Sequence, residues 1–105
     1  MTIRDLEKLL LAVAGAEESY RFRDPEDNEK SIYGGITTAA FKATFGVRRV
    51  NTPRAFRVEL FTTDCAAEVE FPTTVTLAEA ERCIGAMVRA FEVSYAAGSG
   101  EAVDD

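Results

Sequence analysis

The chain has no histidine and no tryptophan, only two cysteines and three prolines among 105 residues, and no long apolar run. Without histidine, the commonest general base at neutral pH and the commonest metal ligand are both missing, so Ser-His-Asp, Cys-His and zinc-histidine sites are excluded. Cys65 and Cys83 are too few for a disulfide framework and lack metal-knuckle spacing, so both are expected as reduced structural thiols. A membrane-spanning helix needs about 18 or more mostly apolar residues, and none is present. Met1-Thr2-Ile3-Arg4-Asp5 has no basic start, apolar middle or small-residue cleavage site. The expectation is a cytoplasmic protein with no membrane partner.

What the sequence does have is enough apolar material, 47%, to build a single core without staples. Its charge is unevenly placed. Lys30, Lys42, Arg48, Arg49, Arg54 and Arg57 fall in a stretch with no acid as far as Val58, while the other six bases face all eighteen acids, giving a net charge of −6. Such an asymmetry marks either a solvated face or a surface for an acidic partner. Lys42, Arg48, Arg49, Arg54 and Arg57 are therefore the candidate partner-binding residues.

Periodicity and caps outline an α+β domain over residues 1–95. A first helix is expected over 3–14, capped by Thr2 with Asp5 three residues on and stopped by Gly15, with Ile3, Leu6, Leu10 and Val13 on one face. Leu9 and Leu11 widen that face, which suggests a homo-oligomer interface. Tyr20-Arg21-Phe22-Arg23 alternates like a strand and turns through Asp24-Pro25-Glu26-Asp27-Asn28 into Ser31-Ile32-Tyr33, a hairpin near 19–34. The acids of that turn lack the glycine and terminal glutamate of a calcium loop.

Gly34-Gly35 reads as a break before Ile36–Gly46. There Phe41 and Phe45 stand four apart with Thr37 or Thr38 as a cap, so a short helix is favoured over a strand. The second hairpin, near 56–71, has Phe56, Val58 and Leu60 facing one way and Arg57 and Glu59 the other. A turn at Thr63-Asp64 would put Arg57 near Glu70 and Glu59 opposite Glu68. Thr76 and Glu79 form a second capping box, opening a long helix over 77–95 with Leu77, Ala80, Ile84, Met87, Val88, Phe91 and Tyr95 on its inner face. Residues 96–105 read as a flexible acidic tail. The small antiparallel sheet is thus packed by an N-terminal and a long C-terminal helix.

No catalytic residue, metal site or cofactor follows from these residues. Cys65 has no neighbouring base, and the acids of a surface hairpin have no cleft around them. The leading reading is a non-enzymatic protein-protein interaction or regulatory module that self-associates. The alternative is a winged-helix-like nucleic-acid binder built on the basic 30–57 stretch, which Pro53 and the early strand at Phe56 both oppose.

Overall fold

The computed structural model describes residues 1–24, 30–51 and 54–103, with side chains described through 98. Both expected capping boxes are formed. The Thr2 hydroxyl accepts the Asp5 amide at 3.2 Å while the Asp5 carboxylate accepts the Thr2 amide at 2.8 Å, opening α1 (Ile3–Ala14). Gly15 closes it in the left-handed region, φ 67°, where a Cβ would be strained. Thr76 and Glu79 repeat the reciprocal pair, at 3.2 and 3.0 Å, ahead of α2 (Leu77–Val103).

Between the helices runs an antiparallel meander: β1 (Glu18–Arg21), β2 (Ser31–Thr37), β3 (Lys42–Asn51), β4 (Arg54–Phe61) and β5 (Ala66–Pro72), in that spatial order. Strand parity sorts the side chains. Ile32, Ile36, Phe45, Val47, Phe56, Val58, Leu60 and Phe71 are buried, and they pack with Leu6 and Leu10 of α1 and Ala80, Ile84, Met87, Val88 and Phe91 of α2. Full burial of one such side chain is worth about 1.5–3 kcal/mol, so this cluster dominates the fold's stability. One buried acid sits beside it. Glu7 of α1, 5% exposed, receives both Nε and a terminal nitrogen of Arg21 on β1, which fastens the helix to the edge strand. That bond holds the Arg21 guanidinium above its ordinary pKa.

Four expectations are corrected. The helix expected over 36–46 is instead the end of β2, a tight turn and the start of β3. Thr38 makes that turn: its backbone amide donates to the Phe41 carbonyl at 2.8 Å, and its hydroxyl accepts the amides of Ala40 and Phe41. Phe41 then tucks edge-on against Phe91, with ring centroids 4.9 Å apart. Its four-residue offset from Phe45 therefore separates a turn residue from a core strand residue, not two residues of one helix face. Gly34 and Gly35, read as a break, lie within β2. Leu77, read as inward, is 59% exposed.

The C-terminal helix continues past Tyr95 to Val103, so the tail expected over 96–105 is helical through Val103. The turn after Asp24, with its acids, lies outside the described residues. The 56–71 hairpin forms in the expected register, with Arg57 opposite Glu70 and Glu59 opposite Glu68.

Candidate functional site

Both helices pack on one side of the sheet, since α1 meets β2, β3 and β4 while α2 meets β4 and β5. No described helix covers the opposite face, and parity and register place its residues. Running across the strands, one row holds Tyr20, Gly35, Thr44, Phe61 and Ala66; the next holds Tyr33, Gly46, Glu59 and Glu68; a third holds Ser31, Arg48, Arg57 and Glu70. Phe22 prolongs the second row, because its amide donates to the Tyr33 carbonyl at 3.0 Å.

Glycine shapes this face. A Cβ on Gly35 would run into the Tyr20 ring, and one on Gly46 would come within 2.6 Å of the Tyr33 ring and 2.8 Å of a Glu59 carboxylate oxygen. The two tyrosines therefore lie down over the glycines of the neighbouring strand. Beside Tyr33, a groove of about 410 Å³ is bordered by Phe22, Ser31, Thr44 and Phe61. Tyr20 and Phe22 are 63% and 57% exposed, with ring centroids 5.8 Å apart. The face is thus aromatic on its β1–β2 side and acidic on its β4–β5 side.

The five basic residues singled out from the sequence are divided by the fold. Arg48 and Arg57 are cross-strand neighbours on the open face. Lys42 lies at the far end of β3, about 20 Å from Arg48 at the usual strand rise. Arg49 pairs in register with Phe56 on the helix-bearing side, its guanidinium 5.5 Å from that ring. Arg54 opens β4 opposite Asn51, in the same parity as Phe56.

Arg57 is occupied. It donates to Glu70 at 2.7 Å and lies 3.3 Å from Glu68, which raises its pKa and relieves the Glu59–Glu68 opposition. Arg48 is different, because its Nε is buried and has no hydrogen-bond partner among the described residues.

Leu9 and Leu11 are both half-buried against the core. Leu9 also borders a shallow apolar groove with Met1 and Leu77 at the start of the two helices. Cys65 and Cys83 are free thiols, half-buried. Among the described residues no three Cys, Asp or Glu side chains are placed to hold a metal ion, and no helix is long and apolar enough to cross a membrane.

Sequence reasoning missed Tyr20, Phe22, Thr44 and Phe61 as surface residues, although the signal was present. Phe61 shares the parity of Arg57 and Glu59, so it had to face outward with them.

No family model, curated protein or solved structure matches this chain.

Proposed function

We propose that this chain is a non-enzymatic protein-interaction module of the cytoplasm, which docks a partner on the open face of its sheet. The observation that carries this reading is the one-sided packing. Tyr20 and Phe22 stand exposed beside Tyr33, Phe61 and an aromatic groove, with no described helix over them. Contiguous aromatic surface with a polar rim is typical of the centre of a protein interface, where aromatic residues and arginine are enriched and other charges are depleted. The acids of β4 and β5 form such a rim.

Self-association has a separate basis, the exposed Leu77 and Met1 beside Leu9, and this apolar surface is where a second copy would meet the first. A nucleic-acid role gains no support from the basic stretch. Its charges are split between two sides of the sheet, Arg57 is already neutralised, and residues 36–46 supply no recognition helix.

Photo-crosslinking tests both surfaces. With a photoreactive phenylalanine analogue at position 22, the protein is expected to form heteromeric adducts in the cells that make it. The same analogue at Leu77 is expected to give homodimer adducts, and at the outward Ala86 neither. Adducts at Ala86 equal to those at position 22 would refute the docking reading.

A further inference from the structure

The proposed docking face contains a cation that no described residue neutralises, and that cation points to the chemistry of the partner. Arg48 lies in register between Ser31 on β2 and Arg57 on β4. Arg57 turns toward β5 and its two glutamates, so it offers Arg48 only a like charge one strand away. Among the described residues the nearest acid by register is Glu59, which lies over Gly46 and makes no ion pair with Arg48. The buried Nε of Arg48 is therefore a charge-bearing donor without an acceptor among the described residues. A buried donor left unsatisfied is costly, and turning the guanidinium outward to an arriving acceptor removes that cost.

We infer that Arg48 receives the carboxylate of a glutamate or aspartate side chain in an extended segment of the docked partner, an inference that rests on the docking reading above. A carboxylate matches the planar guanidinium, and charge-assisted hydrogen bonds of this kind are the strong ones. The aromatic groove borders Ser31, the cross-strand neighbour of Arg48, and continues past Tyr33 to Thr44 and Phe61. In an extended chain, side chains two residues apart share one face at about 7 Å spacing. A segment carrying an aromatic residue and a glutamate two positions on would thus fill the groove and reach Arg48 together. A polyanion fits poorly, because Glu59, Glu68 and Glu70 share the face and would meet its next charge.

Two blocked peptides test this, acetyl-Thr-Phe-Thr-Glu-Thr-amide and its Gln counterpart, titrated into nitrogen-labelled protein by NMR with inorganic phosphate as a third probe. The Glu peptide is expected to bind about tenfold more tightly than the Gln peptide, as one charged hydrogen-bonded pair implies. It is also expected to move the Arg48 Nε–H signal. In Arg48→Gln, whose backbone spectrum reports an intact fold, that difference should vanish; Arg48→Lys, which keeps the charge but not the fork, should retain only part of it. Equal binding of the two peptides, with shifts at Tyr33, Thr44 and Phe61, would overturn the carboxylate anchor and leave the docking face standing. Phosphate moving the Nε–H signal as far as the Glu peptide does would overturn the choice of a carboxylate. No open-face shift from either peptide would overturn both readings.

Discussion

Gly34, Gly35 and Gly46 are buried residues whose missing side chains are required by their neighbours. At Gly34 a Cβ would land on the Tyr20 carbonyl oxygen and close on the Phe45 ring, and neither the strand backbone nor a core ring can yield cheaply. At Gly46 the obstacles are the Tyr33 ring and the end of Glu59, both on the solvent side. Gly34→Ala is therefore expected to lose stability at the upper end of the roughly 1–3 kcal/mol typical of overpacking. Gly46→Ala should lose less than about 1 kcal/mol, since Tyr33 can swing away and alanine suits a strand better than glycine. Urea denaturation of the two variants checks this, and equal losses would contradict the assigned faces. The glycines were visible in the sequence but not their role, because a glycine pair signals a turn as readily as a close approach between strands. The same limit applied to Arg48: composition found the basic stretch, whereas only cross-strand register separates occupied Arg57 from Arg48, whose Nε has no partner among the described residues.

Among the elements, those with a local cause were legible. Both helix starts were readable because a capping box is a contact between residues three apart. The 56–71 hairpin was readable because its alternation and turn composition agree; the Thr62 amide donates to the Cys65 carbonyl at 2.8 Å, closing it at Thr63-Asp64. Residues 36–46 were not readable, since threonine caps, four-residue phenylalanine spacing and a closing glycine satisfy a helix locally. Pairing with β2 and β4, together with the docking of Phe41 on Phe91, decides for strands.

The caps also carry a pH dependence. Hydrogen bonds from the Thr2 amide and hydroxyl hold Asp5 below its ordinary 3.8, and those from Thr76 hold Glu79 below its ordinary 4.5. A carboxylate with a lowered folded pKa contributes its stability fully above the unfolded value and loses it as pH falls through the folded one. Acid should therefore weaken the start of α2 once pH drops below about 4.5, the ordinary Glu79 value, and the start of α1 once it drops below about 3.8, the ordinary Asp5 value. The double variant Asp5→Asn, Glu79→Gln is expected to be less stable at neutral pH and to show a shallower loss of melting temperature between neutral and acid. An unchanged acid slope by circular dichroism would contradict this.

For the whole molecule, the decisive feature is a sheet covered on one side. Its edges are poor candidates for association: β1 is four residues long, and β5 presents Glu68 and Glu70, which would oppose like charges if two β5 edges met. The uncovered face, with its aromatic groove, is where the proposed protein partner docks. The most direct test is a thiol footprint of Phe22→Cys against Ala86→Cys, each in a Cys65→Ser, Cys83→Ala background, comparing purified protein with protein inside the cells that make it. The account predicts that position 22 reacts readily when pure and is protected in cells, while position 86 reacts alike in both. Equal reactivity of position 22 in the two settings would contradict the claim that the open face is where this protein binds.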